Sequence, residues 1–353
     1  MTSQPYEGLP DHAFWRRAVA QMPWGQVNPV LAPGFCPSPE SRIATGGSCF
    51  AQHIGPALAR HGHAFFVTEP AHPIASPELA MSYHYGLFSA RYGNIYTARQ
   101  LLQLFQRAYG WLQPLDDMWR ADDGTLIDPF RPQIQPGGFL TVQEYHLDRA
   151  QHFAAVRRLF EQLDVFIFTL GLTEAWRARA DGAVYPLCPG TAAGVFDAAA
   201  HEFHNFTVAE VEADLLEFAD CLRAVNPRAR LVLTVSPVPL VATARADTHV
   251  LTATTYSKSV LLVAAATAAA RRPGIDYFPA YEIIMGPYEE GTYFAPDKRS
   301  VTVAGVGHVM RVFFGGAEAL VAPASMADTH FEEMAARMGV LCDEIALDPE
   351  GRL

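Results

Sequence analysis

Gly46-Gly47-Ser48-Cys49-Phe50-Ala51 is where the chain concentrates residues able to do chemistry, between the apolar run Ile43-Ala44-Thr45 and Gln52-His53-Ile54-Gly55-Pro56-Ala57-Leu58. A strand that breaks at two glycines and re-forms at once as a helix leaves Ser48 at the sharpest point of the turn, projecting from the sheet edge. Glycine permits φ > 0 and close backbone approach. The first helical amides have no intrahelical partner and carry the positive end of the dipole. An oxyanion forming on Ser48 would therefore meet donors already in place. The other reading of Ser48 is a plain helix cap, because serine is a preferred N-cap.

Acyl transfer at a serine needs a base for its proton, a group that orients the base, and donors for the tetrahedral oxyanion. The loops that close the five predicted strands offer, in turn, Ser48, Gly93-Asn94, Gly171 with Thr173 and Glu174, His249, and Asp297. His204 lies in the long loop after the third strand. In a doubly wound sheet these loops, at the carboxyl ends of the strands, line the site. Asp297 also fits a cap on the last helix or a pair with Arg299. Cys49 is one residue along from Ser48, which turns a helical side chain by ~100°, and free cysteines are usually core residues. His61-x-His63 is too little for a metal, so neither a metal nor a cofactor is expected.

The elements that must hold these residues alternate. Predicted strands are Arg42–Gly46, Ala64–Thr68, Val165–Leu170, Arg230–Ser236 and Ile275–Pro279. Val165-Phe166-Ile167-Phe168-Thr169-Leu170 is apolar enough to be a central parallel strand buried on both faces. Helices are predicted from Ser48 to His61 (Phe50, Ile54, Ala57 and Leu58 at helical spacing, with His53 off that stripe and on the surface), and over 98–109, 207–225, 256–270, 302–314 and 328–338. Strand–helix alternation favours one α/β domain with a parallel sheet of about five strands. Residues 1–41 read as a lead-in, with a helical stretch around Asp11–Met22. Residues 42–316 form the domain and 317–353 a helical, acidic tail. Residues 110–150, with Trp111, Trp119 and Gln133–Phe139, read as an aromatic insertion roofing the pocket or contacting substrate, and residues 176–205 read as a loop.

Gly47-Ser48-Cys49-Phe50-Ala51 resembles the signature of the GSCFA family, related to the SGNH/GDSL esterases and acyltransferases. The resemblance extends to Gly93-Asn94-Ile95-Tyr96, the Gly171 turn, Cys188, Thr234-Val235-Ser236-Pro237-Val238, Tyr256-Ser257-Lys258-Ser259, Tyr277-Phe278-Pro279-Ala280-Tyr281-Glu282 and Tyr293-Phe294-Ala295-Pro296-Asp297. It implies a three-layer flavodoxin-like sandwich with Ser48 as nucleophile. It also implies oxyanion donors from the Ser48 amide, Gly93 and Thr173, although the asparagine usual in the third block is absent. SGNH enzymes end in Asp-x-x-His, with the histidine as base, whereas here Asp297-Lys298-Arg299 is followed by Ser300. His249, in the loop after the fourth strand, and His204 are the replacements to weigh. His308 begins ~12 Å along the last helix from Ser300, at ~1.5 Å per residue, and reads as structural.

The chain's 353 residues carry 37 Asp and Glu against 26 Lys and Arg, a formal charge of −11. That balance argues against nucleic acid or an anionic membrane as the main partner, since both reward clustered basic residues. Met1–Trp24 contains no apolar h-region, and no apolar run reaches the ~18 residues of a bilayer span. Five cysteines without a CxxC spacing suggest reduced thiols in a cytoplasmic protein. The expected activity is a serine-dependent ester hydrolase or O-acyltransferase acting on an acylated carbohydrate or similar polar metabolite. The alternatives are an SGNH-fold binding protein that has lost its base, and a modifying enzyme that meets a basic scaffold through its acidic surface.

Overall fold

Val165–Leu170 has every side chain buried, as its apolar composition requires, and it is a central strand of the sheet. The computed structural model describes residues 4–31, 37–315 and 342–348. In chain order the elements are β1 (Ile43–Gly47), α1 (Ile54–Arg60), α2 (Pro77–Ser82), α3 (Ala98–Ala108), β2 (Trp119–Arg120), β3 (Leu126–Ile127), α4 (Val142–Gln162) and β4 (Val165–Leu170). There follow β5 (Glu174–Ala178), β6 (Val184–Tyr185), β7 (His201–Asn205), α5 (Val208–Val225), β8 (Arg230–Val235), α6 (Val250–Arg271), β9 (Ile275–Tyr277), α7 (Ala280–Met285) and α8 (Val303–Phe313). The main sheet is parallel with order β1-β4-β8-β9, in register through Gly47 opposite Thr169, Leu170 opposite Val235, and Leu233 opposite Tyr277.

The helices that flank this sheet begin where capping residues predict. Thr97 and Thr207 each close a capping box, with Gln100 and Glu210, while Thr141 and Thr302 accept from the amides of Glu144 and Gly305. By length and composition α6 is able to cross a membrane. In this fold it buries Val260, Leu261, Ala264, Ala265 and Ala268 in the main core. The apolar-run reading of the sequence does not single it out, because threonines and Lys258 interrupt it.

Several boundaries differ from expectation. The second predicted strand, Ala64–Thr68, shrinks to one parallel bridge, Ile43 opposite Phe65, flanked by Ile43 N–H to Ala64 O and Phe66 N–H to Ile43 O. Thr68 turns away from β1 and bonds Ser89 O and Ala155 O instead. The helix after Ser48 starts as a 3-10 turn, Cys49–His53, before α1. His53 is half-buried edge-on against Phe50 rather than on the surface, and burial pushes its imidazole down to about 4. The insertion ends at Thr141, since Val156, Leu159 and Phe160 of α4 belong to the main core. Residues 174–205 form a second sheet, antiparallel, with order β6-β5-β7. The helix expected over 328–338 lies outside the described residues, as does Cys36.

Candidate functional site

β1 ends in a turn that only glycine can make. Gly47 has φ +136°, and a Cβ on it would stand 2.3 Å from Thr169 O. Ser48 follows with φ −70° and ψ 177°, its amide donating to Thr169 O at 3.1 Å. By position Ser48 is the N-cap of the 3-10 turn, yet its side chain makes no capping bond. The residue is 3% exposed, and its Oγ has no hydrogen-bond partner among the described residues. A buried hydroxyl left unpaired costs ~1–3 kcal/mol, so a serine serving only as a cap would be expected to make the bond.

Two neighbouring loops close around Ser48. Ile95 N–H donates to Gly47 O at 2.8 Å, and Tyr96 O accepts the amides of Gly171 and Leu172 at 3.0 and 2.9 Å. Gly171 lies against the serine: a Cβ there would stand 2.9 Å from Ser48 Cβ. α6 holds the other side of this turn through two consecutive residues. Ser257 Oγ accepts the Thr173 amide at 3.0 Å, and Lys258 Nζ donates to Gly171 O at 2.7 Å. Lys258 is 1% exposed, and burial pushes its ammonium down to about 8.

The segment Cys342–Leu347 packs over these loops. Asn94 Nδ2 donates to Asp343 Oδ2 at 2.9 Å, Tyr96 Oη bonds the same carboxylate oxygen at 3.4 Å, and the Asp343 amide donates to Tyr96 Oη at 3.0 Å. Arg299 Nη2 reaches Cys342 Sγ at 3.2 Å and Glu344 Oε2 at 3.3 Å. Burial raises both carboxyls, Asp343 to about 6 and Glu344 to about 8. A hydrogen bond from the Cys49 thiol, together with Arg299, lowers the Cys342 thiol. Glu344 also borders a cleft of about 320 Å³, whose walls include Tyr96, Leu172, Glu174, Trp176 and Phe203.

The remaining sequence candidates are engaged elsewhere. His249 is exposed at the N-cap of α6, where its Nδ1 accepts the Leu251 amide at 3.1 Å. His204 Nε2 pairs with Glu210 at 2.8 Å. His308 bonds Tyr293 Oη at 2.8 Å and Val27 O at 2.9 Å. Asp297 is folded into its own loop, accepting from Ser300 Oγ at 2.6 Å and from the amides of Arg299 and Ser300, and these bonds outweigh partial burial to hold its carboxyl low. Thr173 donates its hydroxyl to Asn205 Oδ1 at 2.6 Å, and Glu174 accepts from Thr243 at 2.8 Å, with burial raising its carboxyl. The amides of Ser48, Gly171 and Thr173 are thus all committed. Gly93, with φ +68°, shapes the loop that presents Asn94.

The family profile that matches this sequence runs from residue 42 to residue 313 and is described as the GSCFA family. The chain belongs to the GSCFA family. No curated protein matches it. Among solved structures, one crystal structure shares 13% identity with this GSCFA chain over 45% of its length, at a TM-score of 0.26. The GSCFA chain spans 66% of that structure's chain, just under two thirds, and so weak a likeness carries no argument.

Within this GSCFA domain the structure gathers Ser48, Gly171 and Lys258 at one turn, and Asn94, Tyr96 and Arg299 around the Cys342–Leu347 segment. Lys258 was visible only as part of the Tyr256–Ser259 string. Its signal in the sequence is that it is the one charged residue before Arg271 in a helix of apolar and small hydroxyl residues. The placement of Asp343 and Glu344 had no local signal, because it depends on a contact between positions some 250 residues apart.

Proposed function

We propose that this protein is a serine-dependent ester hydrolase or O-acyltransferase that works through an acyl-enzyme on Ser48. The observation that carries the reading is the Ser48 hydroxyl, buried and unpartnered at a turn whose glycine cannot be replaced without a backbone clash. A nucleophile must keep its hydroxyl free for the incoming carbonyl. Asn94 Nδ2 and Tyr96 Oη, which hold the Asp343 carboxylate, are side-chain donors of the kind that stabilise a tetrahedral oxyanion. The order of parallel segments, Phe65 beside β1 and then β4, β8 and β9, agrees with the flavodoxin-like sandwich of SGNH relatives, and the GSCFA membership adds to that support.

The substrate is an acylated carbohydrate or similar polar metabolite. The cleft beside the Gly171–Thr173 turn supports this, since it sets Trp176 and Phe203 against Glu174 and Gln100. The aromatic insertion contributes less, because Trp119 is buried in a satellite core with Tyr185 and Phe130. A second reading, a binding protein that keeps the fold without catalysis, is favoured by one observation: Asp297 bonds Ser300 where an Asp-x-x-His loop would hold an imidazole. Intact-mass labelling with a fluorophosphonate separates the two. Catalysis requires one adduct on wild type that is absent from Ser48→Ala; a folded wild type that stays unlabelled leaves the binding reading.

A further inference from the structure

We infer that Lys258 is the general base for Ser48, in the role that the histidine of an Asp-x-x-His loop would have. The inference rests on the reading of Ser48 as a nucleophile. Both side chains border Gly171: Ser48 Cβ lies against the space where a Gly171 Cβ would be, and Lys258 Nζ is bonded to the carbonyl of the same residue, while the Ser48 hydroxyl, unpartnered among the described residues, is left for the amine to reach during the reaction. Ser257 fixes the approach, since its bond to the Thr173 amide anchors α6 to the far end of the same turn. An unpaired ammonium in a core is unfavourable compared with an apolar side chain of similar length. Lys258 nevertheless lies there without an ion pair among the described residues.

The charged and titratable groups that face it are Glu344, Cys49 and Arg299. Glu344 is itself shifted toward its neutral form by burial, so it is a weak counter-ion near neutral pH. Burial then leaves roughly a tenth of Lys258 as the free amine near pH 7 and most of it above about 8, the condition under which a lysine acts as a base.

The chemistry balances on these groups alone. As Ser48 Oγ adds to the acyl carbonyl carbon, its proton passes to the Lys258 amine and the carbonyl oxygen becomes the oxyanion. Collapse of the tetrahedral species breaks the ester C–O bond, and the Lys258 ammonium returns the proton to the departing alkoxide. Water or an acceptor alcohol then repeats the sequence in reverse, losing its proton to the amine while Ser48 leaves with one. A proton is borrowed and returned in each half.

The test is the pH dependence of fluorophosphonate labelling, for wild type, Lys258→Arg and Lys258→Met, with folding checked by circular dichroism. Wild type is expected to label on Ser48 with a rate that rises through a midpoint at about 8. Both variants are expected to lose at least ~100-fold in rate, the low end of what a positioned base contributes. In Lys258→Ala, added methylamine is expected to restore part of the rate, which repair of packing would not explain. Labelling of Ser48 in folded Lys258→Arg at the wild-type rate and midpoint overturns the role of Lys258 and leaves Ser48 standing. If the variants do not fold, a flat wild-type profile across roughly pH 6–10 overturns it equally. A wild type that never labels removes the nucleophile reading, and this inference with it.

Discussion

Ser48 is held by what its neighbours lack. Gly171 has no Cβ, and the 2.9 Å at which one would meet Ser48 Cβ is closer than two such carbons can approach. Gly171→Ala is therefore expected to displace the serine side chain and to cut fluorophosphonate labelling at least ~10-fold, while overpacking lowers stability by about 1–3 kcal/mol. Urea unfolding followed alongside labelling separates the two effects. Gly47→Ala is expected to be worse, since the clash is with the Thr169 backbone at a positive φ; failure to yield folded protein is the predicted result. His249 makes a contrasting case. Its imidazole caps α6, so His249→Ala is expected to lower stability by ~1 kcal/mol, as for other lost caps, and to leave the labelling rate of Ser48 unchanged. A thermal melt with a labelling time course checks both halves.

At the scale of elements, the long buried strands and the capped helices were legible in the sequence, and the short polar strands were not. β4 and β8 are continuous apolar runs, and Thr97, Thr207 and Thr302 mark helix starts through capping chemistry that depends on near neighbours. β5 and β7 carry Glu174, Arg177, His201, Glu202 and His204, and they pair with each other rather than with the core sheet, so no apolar pattern announces them. The site divides in the same way. The Gly-Gly-Ser turn was readable because its glycines are needed locally, whereas the neighbourhood of Lys258 and Gly171 arises from packing between α6 and a turn 87 residues away. A further feature without a local signal is the buried network at the base of the Gly93–Asn94 loop. Glu69 accepts from the Arg91 amide and from His152 Nδ1, each at 2.8 Å, while Arg91 and Arg131 both pair with Asp148. Burial opposes ionisation of Glu69, but the hydrogen bonds from His152 and the Arg91 amide and the charge of Arg131 outweigh it and hold its carboxyl low, His152 acting as a neutral donor because burial lowers its own imidazole. A carboxyl depressed in the fold contributes stability that is present above its unfolded value and is lost as pH falls toward the folded one. Glu69→Gln is thus expected to be destabilising near neutrality, on the order of 1–3 kcal/mol for a buried polar network left partly unsatisfied. The gap to wild type in urea midpoints should shrink between roughly pH 5 and pH 2, and a gap that does not change with pH would contradict the assignment.

For the molecule as a whole, the segment Cys342–Leu347 joins the far end of the chain to the candidate site, and its charges make that contact sensitive to pH. Docking buries Asp343 and Glu344, raising their carboxyls to about 6 and about 8. The docked state therefore retains protons that a free segment gives up in the ordinary carboxylate range, ~4. Docking is strongest below that range, weakens as pH rises through it, and reaches its floor above about 8, when Glu344 has ionised in place. Cys342 works in the opposite sense, because a thiol lowered by docking favours the docked state increasingly toward the free thiol value of ~8.5. Arg299 keeps its charge throughout and does not alter the sign. Replacing Cys342 with serine removes the opposing contribution together with part of what raises the two carboxyls, leaving a slope set mainly by the burial of Asp343 and Glu344. The Asp343 amide, bonded to Tyr96 Oη, reports docking directly through its hydrogen-exchange protection factor. In Cys342→Ser that factor is expected to fall with rising pH, by at most ~10-fold per pH unit for each carboxyl. Adding Glu344→Gln should remove most of the fall at the upper end of the window, because Glu344 is raised further than Asp343 and is the last of the two to ionise. Protection that is constant or rises with pH in Cys342→Ser would show that the carboxyls are not buried in the docked state.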